Sequence, residues 1–130
     1  MQKIGVLGAG TMGAGIAQAF AMAGKDVVLR DISEALVDKG IAGVQANLDR
    51  FVSRNQLAVE EADAAKHRLT GAVDIAAFAD CDLIVEAIVE VMEVKKTVFA
   101  ELDEAVQPEA ILVSNTSSLS ITEIASATNR

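Results

Sequence analysis

The sequence has 130 residues, a length that fits one domain able to bury roughly two-thirds of its unfolded surface. Hydrophobic residues make up 52% of the chain and aromatic residues only 3%, so we expect a core of Val, Ile, Leu and Ala, as in parallel sheets covered on both faces. A formal charge of −8 argues against nucleic acid as a partner, a single cysteine indicates a reducing compartment such as the cytoplasm, and no apolar run approaches the roughly 18 residues of a membrane helix.

A predicted strand, a glycine-rich turn and a helix open the chain. The apolar run Lys3–Leu7 predicts the strand, and a helical pattern covers Met12–Ala23. Between them, Gly8 can adopt a positive φ, Gly10 leaves room for a pyrophosphate, and Gly13 lets the helix pack close to the strand. The helix N-terminus then offers free N–H groups to the phosphates. The predicted dinucleotide-binding turn consists of Gly8, Ala9, Gly10, Thr11, Met12 and Gly13.

The acid that follows the second predicted strand strengthens this prediction over an ordinary glycine turn. That strand, Asp26–Arg30, precedes Asp31, about 20 residues beyond the glycines, where a carboxylate reaches the adenosine ribose. Its charge would repel a 2′-phosphate, so NAD is favoured over NADP. Arg30 is the counterargument, although strand alternation directs it away from Asp31. Asp31 could instead be a turn acid or a dipole partner of the next helix, which Ser33 is expected to cap.

The next segment is helical and longer than a simple crossover between parallel strands requires. Apolar residues recur every three or four positions from Leu36 to Val52, which predicts a long amphipathic helix. A second helix is predicted over Val59–Leu69, before a strand near Gly71–Val73. Because one helix of about a dozen residues suffices for a crossover, we interpret this pair as an insertion that projects from the sheet.

The second half continues the alternation of strands and helices. Strands are predicted over Asp82–Ala87 and Ala110–Ser114, with a helix between them, and Ser120 and Glu123 are spaced as a capping box for a last helix. This alternation predicts a doubly wound parallel α/β sheet of the Rossmann type, with right-handed crossovers and strand order 3-2-1-4-5.

Polar residues gather where these strands end, which is where ligands bind in such sheets. Glu90 and Lys95 could contact a ligand, or they could be solvated charges at a helix start. The Asn115–Ser118 loop could bind substrate beyond the nicotinamide, or it could be turn chemistry alone. Cys81 lies between two acids that should raise its thiol pKa, which argues against a reactive thiolate. The His, Cys and acidic residues show no metal-ligand spacing.

These segments resemble the N-terminal half of the 3-hydroxyacyl-CoA dehydrogenases, with the bacterial 3-hydroxybutyryl-CoA dehydrogenases as the nearest branch. The resemblance covers the whole chain, and the Ser-Asn-Thr-Ser-Ser stretch is far more specific than the glycine motif. The matching segments are Gly8–Gly13 with Gly15–Gln18, Val28–Asp31, Val85–Glu90, Lys95–Lys96 and Ser114–Thr122.

The resemblance implies a role for each matching residue. The glycine turn would hold the pyrophosphate of NAD, and Asp31 would hold its adenosine ribose. Ser117 would hydrogen-bond the reacting oxygen of the substrate, which makes it the implied catalytic residue. The helical pair would lean over the coenzyme A moiety, with Asn47 and Arg54 at the matching positions. The implied nicotinamide side consists of Ala87, Glu90, Lys95 and Asn115.

The family pattern is incomplete in these 130 residues. Family members continue into a His-Phe-Phe-Asn-Pro strand, an acid that orients this histidine, and a helical domain that completes the cleft and dimerises. Oxidising a 3-hydroxyl needs a base for its proton, and the only histidine, His67, lies in the helical pair, away from every strand end. We therefore expect residues 1–130 to bind NAD(H) without turnover, as the NAD-binding domain of an oxidoreductase acting at the 3-hydroxy or 3-keto position of short-chain acyl-CoA in fatty acid metabolism.

Two other functions stay open from the sequence. The chain could be a non-catalytic NAD-binding or structural module, since a fold does not define a function. It could also belong to another NAD enzyme, such as a 6-phosphogluconate or glycerol-3-phosphate dehydrogenase relative, which the Asn115–Ser118 loop argues against. If Ala110–Ser114 is the last strand, its apolar edge is open, so self-association is expected alongside the homodimer that the family resemblance implies.

Overall fold

The computed structural model describes residues 2–116 and 119–129, which form one parallel sheet flanked by helices. The strands are β1 (Lys3–Leu7), β2 (Asp26–Arg30), β3 (Leu69–Ala72), β4 (Leu83–Glu86) and β5 (Ile111–Ser114). The α-helices are α1 (Thr11–Met22), α2 (Glu34–Ser53), α3 (Val59–Arg68), α4 (Met92–Ala105) and α5 (Ile121–Ala125), and a 3₁₀ turn covers Ile75–Phe78.

The five strands are parallel and lie in the order β3-β2-β1-β4-β5. The predicted order 3-2-1-4-5 is therefore confirmed. The order reverses at β1, whose Leu7 pairs with Arg30 of β2 on one side and Glu86 of β4 on the other. The turns that follow these three strands consequently meet at one edge, which is where an open α/β sheet binds ligands.

Side chains of β1 and β2 alternate between two hydrophobic layers, as expected for strands buried on both faces. Ile4, Val6, Val27 and Leu29 pack with α1, α2 and α3 on one face. Leu7 and Val28 pack on the other face, against residues that include Phe78, Cys81 and Leu102. The predicted stripe of small residues on α1 is also confirmed, because Gly13, Ala17 and Ala21 are all buried.

The helical pair differs from its prediction as a projecting insertion. Val44 and Leu48 of α2, with Ala62 and Ala65 of α3, belong to the same buried core layer as α1. Each helix has apolar residues on one face, and these are buried when the pair packs against α1 and the sheet. Burial of this apolar surface favours packing over projection into solvent. Strand β3 also begins earlier than predicted. Helix α3 ends at Arg68 and β3 begins at Leu69, whereas the sequence predicted a strand near Gly71–Val73.

Helix caps follow the sequence signals in part. The Ser33 hydroxyl accepts a hydrogen bond from the Leu36 N–H at 3.3 Å, and Ser120 accepts one from the Glu123 N–H at 3.2 Å. The Glu123 carboxylate pairs with Lys96 at 3.0 Å, so its charge bridges α5 to α4. Within the described ranges, no helix is both long enough and apolar enough to cross a membrane.

Candidate functional site

The glycine turn after β1 contains two close backbone contacts, which leave no room for a side chain at Gly8 or Gly13. Gly8 has φ +114°, and a Cβ there would lie 2.4 Å from the Ala87 carbonyl oxygen. A Cβ on Gly13 would lie 1.6 Å from the carbonyl oxygen of Gly8. Both distances are far below contact distance, so only glycine permits this path. Because Gly8 abuts Ala87, the turn after β1 and the residue after β4 form one continuous surface.

The outer part of the same turn is open. Gly10, Thr11 and Met12 are exposed, whereas Gly8, Ala9 and Gly13 are buried. A Cβ on Gly10 would have no neighbour within 4 Å. Helix α1 starts at Thr11, and the first N–H groups of a helix have no intrahelical partner. The turn is therefore a cradle with free N–H donors and the positive end of a helix dipole, which suits a pyrophosphate.

Asp31 is held against this cradle. One carboxylate oxygen accepts a hydrogen bond from the Ala9 N–H at 2.8 Å, and the other accepts one from the Ile32 N–H at 2.7 Å. A carboxylate has about four acceptor positions, so capacity remains for two ribose hydroxyls. The neighbouring Arg30 donates from Nε to the Val73 carbonyl oxygen at 2.7 Å. The guanidinium thus makes its contact at the end of β3, while the carboxylate belongs to the glycine turn.

A buried ion pair lies at the end of β4. The Lys95 ammonium of α4 is 2.7 Å from Oε1 and 2.6 Å from Oε2 of Glu86, and both side chains are fully buried. Lys95 also lies 3.0 Å from Oε1 of Glu90, whose side chain is 40% exposed. The alternative of Lys95 as a solvated charge is therefore wrong. Its ammonium group pairs with two carboxylates, one buried and one at the surface, which is why it tolerates burial.

Hydrogen bonds extend this pair to the end of β5. Ser114 donates to Oε1 of Glu86 at 2.6 Å, and the Ile88 N–H donates to Oε2 at 2.7 Å. Thr116 donates to Oε2 of Glu90 at 2.6 Å. We call this group the carboxylate cluster; it consists of Glu86, Glu90, Lys95, Ser114 and Thr116.

Glu86 is a site residue that was not predicted from the sequence. The available signal was a single charge at the end of the apolar run Leu83–Val85, followed nine residues later by a lysine. A charged residue in a strand buried on both faces needs a partner. That signal indicates an ion pair, but it does not say which lysine or carboxylate completes it.

The loop after β5 is described only in part. The Asn115 N–H donates to the carbonyl oxygen of Glu86 at 2.8 Å, and the Asn115 side chain is exposed at the carboxyl edge of the sheet. Ser117, the predicted catalytic residue, and Ser118 lie outside the described residues. The structure therefore brings Asn115, Ala87, Glu90 and Lys95 together at one edge of the sheet.

The two predicted coenzyme A residues lie on α2 in different surroundings. Asn47 lines a groove of about 480 Å³ that also includes Gly10 and Thr11. Its amide donates to Oε1 of Gln18 at 3.1 Å and accepts from Arg50. Arg54 is exposed at the C-terminal cap of α2. The structure thus brings Asn47 beside the glycine turn and leaves Arg54 at the far end of the helix.

The remaining candidates lie away from this edge. His67 is exposed, donates a hydrogen bond from Nδ1 to the Asp63 carbonyl oxygen at 2.8 Å, and borders the first residues of β1 and β2. Burial raises the pKa of the Cys81 thiol to about 11, with the neighbouring acids as lesser contributors, so the predicted direction holds but its main cause differs. In residues 2–116 and 119–129, no three His, Cys, Asp or Glu side chains are grouped as a metal site.

The fold and this edge define a class of protein. A doubly wound parallel sheet carries a glycine cradle at the switch point between β1 and β4, with an acid after β2 bonded to the cradle. Only Gly10 among its three motif glycines has open space in place of a Cβ, which leaves room for a pyrophosphate. The chain is a dinucleotide-binding domain of the Rossmann type.

Comparison with known proteins identifies the family. The family model for the 3-hydroxyacyl-CoA dehydrogenase NAD-binding domain matches residues 3–130, so the chain belongs to this family and NAD is the cofactor of the domain. A 3-hydroxybutyryl-CoA dehydrogenase of Bradyrhizobium diazoefficiens is 46% identical over the entire chain. A 3-hydroxyadipyl-CoA dehydrogenase of Escherichia coli is 45% identical over 96% of it. The (S)-3-hydroxybutyryl-CoA dehydrogenase PaaH1 of Ralstonia eutropha superposes with a TM-score of 0.97, at 39% identity over 100% of the chain.

The chain spans less than half of these relatives. It covers 44% of the Bradyrhizobium protein, 26% of the Escherichia coli protein and 46% of the Ralstonia structure. The comparisons therefore describe the cofactor-binding part of longer oxidoreductases.

Proposed function

We propose that this domain serves an enzyme that transfers hydride between NAD and the 3-hydroxy or 3-keto carbon of a short-chain acyl-CoA. The observation that carries the proposal is Asp31, held at 2.8 Å from the Ala9 N–H inside the glycine turn of a family-matched NAD domain. The relatives named 3-hydroxybutyryl-CoA and 3-hydroxyadipyl-CoA dehydrogenase support the substrate class.

Each part of the site has a role in this proposal. NAD, when bound, supplies the hydride acceptor. The N–H groups around Gly10 and the start of α1 hold the pyrophosphate, and Asp31 holds the adenosine ribose. Ser117 donates a hydrogen bond to the reacting oxygen of the substrate, and Asn47 and Arg54 bind the coenzyme A moiety. The nicotinamide side is oriented by Ala87, Glu90, Lys95 and Asn115.

Among the described residues, no histidine lies at the carboxyl edge of the sheet that could serve as the base for the 3-hydroxyl proton. His67, the single histidine in the sequence, lies at the amino ends of the strands, opposite the site. An unassisted serine hydroxyl is a poor base at neutral pH. We therefore propose that these 130 residues bind NAD(H) without turnover. The same observation favours the second candidate, a non-catalytic NAD-binding module.

A calorimetric titration with NADH tests the proposal. We expect binding to the wild-type chain, and dissociation constants at least about tenfold higher for Asp31→Ala, because hydrogen bonds to a charged acceptor are lost. Asp38→Ala, which removes an exposed acid from α2, is the matched control and should bind as wild type does. The ratio of NADPH to NADH affinity should rise in Asp31→Ala, since the charge that repels a 2′-phosphate is gone.

The same preparation is assayed for turnover with acetoacetyl-CoA and NADH. We expect loss of NADH absorbance at the background rate. Turnover by this chain would refute the requirement for a base from outside it, and equal NADH affinities of Asp31→Ala and Asp38→Ala would remove Asp31 from the site.

We also propose that the domain associates with a second copy through the edge of β5, alongside a homodimer for the full-length protein. Strand β5 is outermost in the sheet, and Ile111 and Val113 are 47% and 40% exposed. An apolar strand edge pairs readily with another chain. Light scattering should show a mass that rises with concentration, and Val113→Lys should suppress the rise. A constant monomer mass at high concentration would contradict the contact.

For the location of the protein we propose the cytoplasm. The single cysteine in the sequence, Cys81, is a buried thiol, which suits a reducing compartment. Recovery of the protein from an exported fraction would contradict this proposal.

A further inference from the structure

The carboxylate cluster connects the two loops that carry the proposed nicotinamide contacts. Residues 87–91 follow β4, and residues 115–120 follow β5. We propose that Thr116 is a positioning residue, whose hydroxyl fixes Glu90 relative to the end of β5 so that the nicotinamide half of NAD binds tightly. This inference rests on the proposed function of the domain.

The contacts of Thr116 cross between the two loops. Its hydroxyl donates to Oε2 of Glu90 at 2.6 Å and accepts a hydrogen bond from the Leu119 N–H at 3.2 Å. One hydroxyl therefore bonds Leu119, three residues further along the chain, and Glu90, which follows the neighbouring strand. A short bond from a hydroxyl to a carboxylate is charge-assisted, which makes it stronger than a bond between neutral groups.

Glu90 is held from both sides. Its Oε1 lies 3.0 Å from Lys95, and Lys95 is anchored on both oxygens of the buried Glu86. The Glu90 side chain is 40% exposed, so each contact that it makes restricts its rotamers. Of these two contacts, the one with Thr116 links Glu90 to the residues that follow β5.

The sequence position of Thr116 makes this anchor consequential. Asn115 precedes it and Ser117 follows it, and both are predicted contacts of the reacting end of the site. Fixing Thr116 and the adjacent Asn115 before ligand arrives avoids an ordering cost on binding. Removing the hydroxyl should therefore weaken NAD binding even though Thr116 need not touch the nicotinamide itself.

The position of the cluster predicts an effect on one half of NAD only. The adenosine half is proposed to contact the glycine turn and Asp31, which join β1 to β2, whereas the cluster joins β4 to β5. ADP-ribose contains the adenosine half and the pyrophosphate but no nicotinamide. A positioning role for Thr116 therefore changes NADH affinity and leaves ADP-ribose affinity unchanged, and a general loss of structure changes both.

The test compares NADH and ADP-ribose affinities by calorimetry in four forms of the chain. Thr116→Val replaces the hydroxyl with a methyl group of similar size, and Thr116→Ser retains the hydroxyl. Thr97→Val is the matched control, because its hydroxyl bonds the backbone of its own helix, at the Glu93 carbonyl oxygen. Thermal unfolding of each variant is recorded alongside.

In Thr116→Val we expect the NADH dissociation constant to rise about five- to tenfold, because one charge-assisted hydrogen bond is lost. The affinity for ADP-ribose should be unchanged. Thr116→Ser and Thr97→Val should stay within about twofold of wild type. The proposal is overturned if Thr116→Val weakens both ligands equally, or if Thr116→Ser fails to restore NADH affinity. If titration of the wild-type chain with ADP-ribose or NADH gives no more heat than titration into buffer, the proposed function itself fails, and this inference fails with it.

Discussion

Gly13→Ala is expected to lower the free energy of unfolding by about 3 kcal/mol or more and to abolish NADH binding. The added Cβ would lie 1.6 Å from the Gly8 carbonyl oxygen, which is backbone and cannot rotate away. Helix α1 must therefore move off β1, and this movement displaces the N–H groups that face the cradle. Since small domains are stable by only about 5–15 kcal/mol, the loss is a large fraction of the total. Urea unfolding and NADH titration measure the two effects.

Gly10→Ala is the matched control, because it adds the same atom in the same turn. A Cβ there has no neighbour within 4 Å, so stability should stay within about 1 kcal/mol of wild type, including the weaker N-cap of alanine. NADH affinity should nevertheless fall, since the methyl group occupies the open side of the cradle. A Gly13→Ala chain as stable as Gly10→Ala would contradict the close approach between α1 and β1.

Lys95→Met is expected to destabilise the domain by about 3–5 kcal/mol, because it leaves a carboxylate without its cation in the interior. Glu86 is fully buried, and the ammonium group that it would lose lies within 2.7 Å of both its oxygens. The bonds from Ser114 and from the Ile88 N–H remain, and they offset only part of this cost. Denaturant unfolding at neutral pH measures the change.

Two further variants show whether the buried pair causes this loss. Lys96→Met removes the neighbouring lysine, whose partner Glu123 is 50% exposed, and should cost less than about 1 kcal/mol. The double variant Glu86→Gln/Lys95→Met removes both charges and should recover about 2 kcal/mol relative to Lys95→Met alone. Equal destabilisation by Lys95→Met and Lys96→Met would show that burial of Glu86 does not depend on its ion pair.

These two sets of variants address different requirements of the same sheet edge. The glycine turn needs the absence of side chains, because two backbone segments approach one another. The carboxylate cluster needs opposite charges, because Glu86 ends a strand that is buried on both faces. Both requirements concern residues at the carboxyl ends of β1 and β4. These strands are neighbours, and Leu7 of β1 pairs with Glu86 of β4. A substitution in the glycine turn or in the carboxylate cluster is therefore expected to disturb the cofactor-binding edge of the sheet.

The sequence by itself determined the features that depend on local pattern and on connection rules. Apolar runs separated by helical periodicity predicted five parallel strands, and right-handed crossovers predicted their order, which the structure confirms. The spacing of Gly8, Gly13 and Asp31 predicted a cradle with an adjacent acid, because strand ends of a parallel sheet meet at one edge. Their contacts with NAD, and the role of Ser117, stay predictions.

Only the tertiary structure decided where charges and helices are buried. Lys95 could be solvated or paired from sequence alone, because burial of an ammonium group depends on carboxylates that other elements bring to it. The helical pair α2 and α3 was predicted to project and instead packs, because an amphipathic pattern shows that an apolar face is covered without showing what covers it. In this fold α1 and the sheet cover it. The link from Thr116 to Glu90 joins residues 26 apart in the chain, at a place where two neighbouring strands end.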